Sequence, residues 1–395
     1  MKVQYGLEVA YGSNYDFKEA QALLECLENR APSCGKKVKE FEDAFAAYCG
    51  ATYGIAVTSA TTGLSLAGIA AGVGPGTEVI TTPISWVATS FAYSALGADI
   101  VFCDVEPGTL NMDPEKLEAL ITPRTKAIVP VHLYGQCCRM DKIMEIARRK
   151  GVLVIEDCAH NPGGSYGGVM SGNLGDIGVF SFHQQKNMST LGEGGMITTS
   201  TRALFERMIS YRSLCARVYG TSDKYLTIDE AEHPMGKQYW KLMFDDIGYN
   251  YRMTDAQAAV GLVQLGKLGR NNARRIELSE KLTGLLRGTK HLILPEVDEK
   301  GQHVWHIYMV QLAKESPVSK DDFMWELYHT YGIKAWSHYL PIHLQKPYVE
   351  RGHKAGECPV AEEAFERYVT LPMNPNLTDE AIEYMAASII KLLGR

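Results

Sequence analysis

From about residue 35 to residue 200, short apolar runs alternate with segments of helical period, and this restricts the chain to a largely parallel sheet covered by helices. Parallel strands cannot be joined by tight hairpins, so each needs a long crossover, usually a helix. A helix is predicted over Val38 to Ala47, with Phe41, Phe45 and Tyr48 on one face. Tyr53 to Val57 then reads as a strand that breaks at Thr58-Ser59-Ala60-Thr61-Thr62 into a helix over Gly63 to Ala71. The turn Gly74-Pro75-Gly76 precedes a strand over Glu78 to Thr81, and Asp113-Pro114 is a helix start, cap followed by first-turn proline. Ala127 to Val131, Val152 to Ile155 and Ile177 to Phe182 read as buried strands, and Asp141 to Lys150 as a helix closed by Gly151.

The pattern changes near residue 265. Gly248 to Leu265 reads as a helix approach rich in small residues, Asn271 to Leu286 as a separate charged amphipathic helix, and Val304 to Leu312 as a strand. The expected class is therefore α/β, with a mostly parallel sheet in a large domain (1–269, including an N-terminal segment) and a smaller C-terminal α+β domain (270–395).

Charge and apolar content narrow the partners. Lys plus Arg number 40 against 46 Asp plus Glu, and a net charge of -6 argues against a nucleic-acid face or an anionic membrane surface. No run approaches the ~18 apolar residues of a membrane span, and Met1 to Glu8 lack the apolar core of a secretory signal, so a soluble, cytoplasmic protein is expected. The nine cysteines include no Cys-x-x-Cys and no Cys/His ligand set, so reduced thiols are expected. His303 with His306, or His338 with His343, lack a third ligand nearby, and no metal is expected.

In open α/β sheets ligands gather at the carboxyl ends of the strands, and three such ends stand out. Thr58 to Thr62 is either an anion cradle, built from hydroxyls and unpaired backbone N–H groups, or an ordinary helix cap. Glu156-Asp157 follows an apolar run, so at least one carboxylate is carried into the interior, where it needs a cationic partner or a capping role. Lys186 follows a strand and enters a polar, Gly-rich stretch without helical period. The 29 residues from Asp157 to Lys186 allow one excursion and a return strand, which brings both to one crevice.

Cradle, buried carboxylate and loop lysine together match what pyridoxal phosphate (PLP) requires. The lysine joins the aldehyde covalently, which needs a lowered pKa, and the carboxylate pairs with the pyridine nitrogen. The protonated ring then acts as an electron sink. Trp86 is either a flat cover for that ring or a core residue. Gly163-Gly164-Ser165-Tyr166-Gly167 matches a nucleophile elbow in letters only, because its flanks form neither the strand nor the helix an elbow joins.

These residues resemble the DegT/StrS family of sugar aminotransferases. The resemblance rests on Val154 to His160, Gly175-Asp176-Ile177-Gly178, Phe180 through Lys186, and Gly192-Glu193-Gly194-Gly195. Pro130 to Gln136, Gly248 to Thr254 and His338-Tyr339 with Pro341-Ile342-His343 extend it over about residues 35 to 380. It implies a fold-type I PLP enzyme, a homodimer with its sites at the subunit boundary. Lys186 would be the Schiff-base lysine and proton shuttle, and Asp157 the pyridinium partner. Thr61, Thr62 and Ser181 would bind the phosphate, Trp86 would stack on the ring, and His160 would sit by the ring hydroxyl. Asn250 would reach the phosphate of the neighbouring subunit's cofactor. The implied reaction is ping-pong transfer from glutamate or glutamine to a keto-sugar, with a nucleotide-linked keto-hexose first and a keto-cyclitol as alternative. A PLP-dependent sugar dehydratase is the rival chemistry, and such members typically lack the lysine. A non-enzymatic regulator would need a basic recognition helix, which the chain does not offer. Trp336, His338, Tyr339 and His343 either line the pocket or pack at the domain junction. The chain departs from the family at Ala60, where glycine is usual, at His160, where glutamine is commoner, and over Asn29 to Gly35.

Overall fold

The computed structural model describes residues 12–28, 33–218 and 242–394. The opening residues and 29–32 of the departing segment therefore lie outside the described residues. Seven strands form the central sheet: β1 (Tyr53–Val57), β2 (Glu78–Thr81), β3 (Asp99–Phe102), β4 (Thr125–Val129), β5 (Leu153–Asp157), β6 (Ile177–Ser181) and β7 (Gly195–Thr199). Their order is β1-β7-β6-β5-β4-β2-β3. β6, β5, β4, β2 and β3 pair in parallel, whereas β7 is antiparallel to both β6 and β1. Only β7 runs against the rest, so the carboxyl ends of six strands share one edge of the sheet.

Helices α1 (Phe17–Glu28) and α2 (Lys36–Cys49) precede the sheet, and α3 (Ala60–Ala70), α4 (Ala88–Ser94), α5 (Met140–Lys150) and α6 (Arg202–Arg212) follow strands within it. The α2 aromatics Phe41 and Phe45 bury against Phe180 and Phe182. Edge strand β1 is held by a fully buried pair: Glu42 accepts from the Ala56 backbone N–H at 2.9 Å and from Arg212, which also donates to the Ala56 carbonyl. Helix α3 starts at Ala60, three residues before the expected Gly63, because the Ser59 side chain accepts from the Thr62 N–H as an N-cap. Thr61 and Thr62 therefore stand in its first turn.

The two helices expected on either side of residue 270 are one: α7 runs unbroken over Asp255–Leu286, capped by Thr254 and Gln257. Gly266 and Gly269 suggest a break in sequence, but a helical glycine costs only about 1 kcal/mol and packing on both halves outweighs it. The first half buries Ala258 and Leu268 against α2, and the second buries Leu278, Leu282 and Leu286 against Ile382, Met385 and Ile389 of α8 (Asp379–Leu393). That second core also covers the antiparallel sheet of β8 (Leu292–Ile293), β9 (Tyr308–Leu312) and β10 (Tyr368–Leu371), in the order β8-β9-β10. Pairing in β9 begins at Tyr308, later than the expected Val304. Residues 304 to 307 instead dock on the turn after β4, with the Val304 and Ile307 N–H groups donating to the Gly135 and Tyr134 carbonyls.

No helix of the described residues is long and apolar enough to cross a membrane. All nine cysteines are free, and all but Cys34 are buried.

Candidate active site

Asp157 and Glu156 are successive residues of β5, so their side chains leave on opposite faces. The Glu156 side is filled by protein. Its Oε1 accepts from the Leu174 and Gly175 N–H groups at 2.9 and 2.7 Å, and its Oε2 from the Gly172 N–H and His132 Nε2 at 3.0 and 2.9 Å. His132, Glu156 and Cys158 are close enough to resemble a metal site. Four donors already occupy the carboxylate, the Cys138 N–H donates to His132 Nδ1, and burial keeps the Cys158 thiol protonated, so neither His132 nor Glu156 has a lone pair left for an ion.

Asp157 has a different environment. It is buried, with Oδ2 accepting from the Thr89 hydroxyl at 2.7 Å and Oδ1 from the Ala159 N–H at 3.0 Å. Thr89 is in turn 2.8 Å from the Ser85 hydroxyl. Burial pushes the Asp157 pKa up; the Thr89 and Ala159 donors and the charge of Lys186 pull it back. A buried carboxylate supported chiefly by neutral donors suits a cationic partner.

Lys186 stands in the loop between β6 and β7, half-buried, and among the described residues its amino group makes no hydrogen bond. Burial lowers its pKa from 10.5 to about 8, against the attraction of Asp157, which raises it. Gly12 lies against this loop: its N–H donates to the Gln184 carbonyl, and a Cβ there would meet the Gln185 and Lys186 carbonyl oxygens at about 2 Å.

The third element is the first turn of α3, where Ala60 and Thr61 have no intrahelical acceptor for their N–H groups. Gly195 presses against it, leaving 2.7 Å between a notional Cβ and the Ser59 carbonyl carbon. Ser181 ends β6 beside it and accepts from the His183 N–H at 3.4 Å. Donors at a helix N-terminus suit a phosphate, the Asp157 carboxylate suits a ring nitrogen that carries a proton, and the Lys186 amine suits an aldehyde. The residues present thus fit PLP.

His160 is buried, with Nδ1 accepting from the Tyr134 N–H and Nε2 lying 3.3 Å from the Tyr339 hydroxyl. Its ring packs 4.4 Å from that of His306, whose Nδ1 is 3.2 Å from Asn187 Oδ1. Burial, with Lys186 next in effect on His160, holds both imidazoles neutral, far below the usual histidine range. His338, 2.7 Å from the Thr370 hydroxyl, is likewise lowered to about 4. Trp86 is 60% exposed, its ring 6.0 Å from that of Tyr339. Asn250 is exposed on a stretch bridged to Ser213.

The remaining sequence candidates separate. His343 lies apart, paired at 2.9 Å with Glu362 beneath Phe102, so it packs the junction. Trp336 is 52% exposed and bridges β10 through Thr370. His303 stacks on Trp305 at 3.8 Å, and burial lowers it to about 3. Ser165 lies in a two-residue strand paired with Met170 and Gln302, so no elbow forms. Sequence reasoning gave Thr89, Tyr134 and Asn187 no role in the site and weighed His306 only as a metal ligand. The only local signal for Thr89 was its place in the first turn of the helix after Trp86.

A profile of the DegT/DnrJ/EryC1/StrS aminotransferase family matches residues 14–390. The spore coat polysaccharide biosynthesis protein SpsC of Bacillus subtilis is 38% identical, over 93% of this chain and 92% of its own length. GDP-perosamine synthase of Caulobacter vibrioides is also 38% identical, over 96% of each. The fold matches the PLP form of Spr1654 from Streptococcus pneumoniae with a TM-score of 0.88 at 25% identity, covering 99% of this chain and all of that one. The geometry of Lys186 and Asp157 and these matches converge, and the chain belongs to the DegT/DnrJ/EryC1/StrS aminotransferase family as a PLP-dependent aminotransferase.

Proposed function

We propose that the chain transfers an amino group from glutamate or glutamine to the ketone of a nucleotide-linked keto-hexose, with the spent donor leaving before the sugar enters. The observation that carries this reading is the juxtaposition of Lys186, lowered to about 8, with buried Asp157 at the edge where six strands end. The names of the relatives, a GDP-perosamine synthase and a spore coat polysaccharide protein, support a nucleotide-linked sugar.

When bound, PLP supplies an aldehyde to hold the nitrogen and a ring to delocalise the electrons released at carbon. Lys186 is the residue that would hold the aldehyde covalently, and its amine, when free, would be placed to take up and return a proton at the reacting carbon. A pKa near 8 suits both roles, since the amine must lose and regain its proton near neutral pH. Asp157, fixed by Thr89, would pair with the ring nitrogen and keep it protonated. Thr61, Thr62 and Ser181 would bind the phosphate, Trp86 would cover the ring, and His160 would stand at its hydroxyl side. Asn250 completes the phosphate site of a second copy in a homodimer. Exposed apolar residues on α1 (Phe17 at 75%, Leu27 at 72%) and at Ile247 (88%) support such an interface. The presence of Lys186 favours transfer over dehydration.

The test is a Lys186→Ala variant, borohydride trapping, and a panel of UDP-, GDP- and dTDP-linked keto-sugars with a keto-cyclitol alongside. Wild type should carry the cofactor on the peptide containing residue 186, and the variant should retain it noncovalently without turnover. Full activity in the variant refutes the assignment, and turnover of the cyclitol alone moves the substrate to that class.

A further inference from the structure

We propose that Tyr339 is a further catalytic residue: its hydroxyl, aimed by His160, donates a hydrogen bond to a carbonyl or anionic oxygen bound in the cleft. This rests on the functional reading above and assigns a donor within that site.

The argument follows the protons. A backbone N–H can only donate, so the Tyr134 N–H makes His160 Nδ1 an acceptor, and that nitrogen carries no proton. A neutral imidazole then has its proton on Nε2, the nitrogen 3.3 Å from the Tyr339 oxygen. His160 is therefore the donor and the tyrosine oxygen the acceptor. The Tyr339 proton must point elsewhere, and among the described residues nothing accepts it. Burial raises the Tyr339 pKa, so the proton stays in place.

This has a second consequence. Both ring nitrogens of His160 are engaged, so His160 has no N–H to spare for a cofactor hydroxyl. It acts through Tyr339 as a positioning residue, with its ring seated against His306. The tyrosine backbone is also anchored, because the Tyr134 hydroxyl donates to the His338 carbonyl and the Tyr368 hydroxyl to the Tyr339 carbonyl. Opposite stands the Trp86 ring, tilted at 58°. A donor fixed on both sides between aromatic walls suits an oxygen that gains charge during reaction. Two oxygens have this chemistry, the phenolic oxygen of PLP and the ketone oxygen of the sugar.

Tyr339→Phe in the holoenzyme removes the hydroxyl and keeps the ring, and two measurements separate the sources. If the acceptor is the cofactor oxygen, the visible band of the substrate-free enzyme titrates about a pH unit or more away from wild type. If it is the sugar, that band and the glutamate half-reaction are unchanged, while single-turnover amination of the keto-sugar accepted by wild type slows about ten- to hundredfold. His160→Leu should move the same readout in the same direction, and His160→Gln, which keeps one acceptor and one donor, should restore most of it. The proposal is overturned if Tyr339→Phe changes neither readout by more than about twofold, or if His160→Leu leaves unchanged the readout that Tyr339→Phe moves. Absence of bound PLP from wild type would refute the functional reading instead.

Discussion

Raising the pH tests the most consequential value in the site, the Lys186 pKa of about 8. Only the neutral amine attacks an aldehyde. At pH 7 a lysine of pKa 8 is roughly 9% neutral, whereas an ordinary lysine at 10.5 is roughly 0.03% neutral, about 300-fold less. Burial produces the shift and Asp157 opposes it, so the value depends on the cleft being folded. The assay is stopped-flow mixing of apoprotein with PLP from pH 6 to 10, each rate divided by that of a free alkylamine to remove the cofactor's own titrations. The quotient should be level up to about pH 8 and fall about tenfold per pH unit above it, because the free amine, like an ordinary lysine, goes on losing its proton after Lys186 has lost its own. Asp157→Asn removes the attraction that holds the proton on Lys186, and the break should move below 8. A quotient that stays level to pH 10 would refute the reasoning, as would an upward shift of the break in the variant. Stability has a matching sign. Between 8 and 10.5 the unfolded chain still holds this proton and the folded chain has released it, so the contribution of Lys186 to stability improves with pH across that window.

Two further expectations concern the frame around the site. Glu156→Gln turns one acceptor oxygen into an NH2 facing two donors, so at least two of four hydrogen bonds to a charged acceptor are lost. At ~1.5–3 kcal/mol each, the variant should lose about 3 kcal/mol or more in urea unfolding of the apoprotein, and a loss below about 1 kcal/mol contradicts the assignment. Gly195→Ala puts a Cβ 2.7 Å from the Ser59 carbonyl carbon and 2.8 Å from the Ala60 nitrogen, which must displace the first turn of α3. Cofactor affinity, read by equilibrium titration with PLP, should fall at least about tenfold, and an unchanged Kd would show that this turn does not bind the phosphate.

Much of the candidate site was legible in sequence because the groups proposed for it sit where local rules converge. Asp157 ends an apolar strand run, Ser181 ends another, Lys186 lies in the loop that follows, and Thr61 and Thr62 open a helix after a strand. Each of these positions follows from periodicity over a few residues, and one parallel sheet brings them to a common edge. Thr89, His306 and Asn187 were not legible in the same way. Thr89 reaches Asp157 across 68 residues and Asn187 reaches His306 across 119, and nothing local to either partner announces the contact. The continuity of α7 escaped for a related reason: Gly266 and Gly269 weaken the local signal, and the packing that outweighs them comes from α2 and α8, distant in sequence.

By itself, then, the amino-acid order determined the α/β class, the strand ends and the chemical types gathered there, since these follow from short-range patterns of burial and turn formation. Tertiary structure alone decided which of two adjacent carboxylates faces the cleft, how far burial lowers the Lys186 amine, and which nitrogen of His160 holds a proton. Dielectric environment and hydrogen-bond direction depend on every group that surrounds a side chain, and most of those groups arrive from elsewhere in the chain.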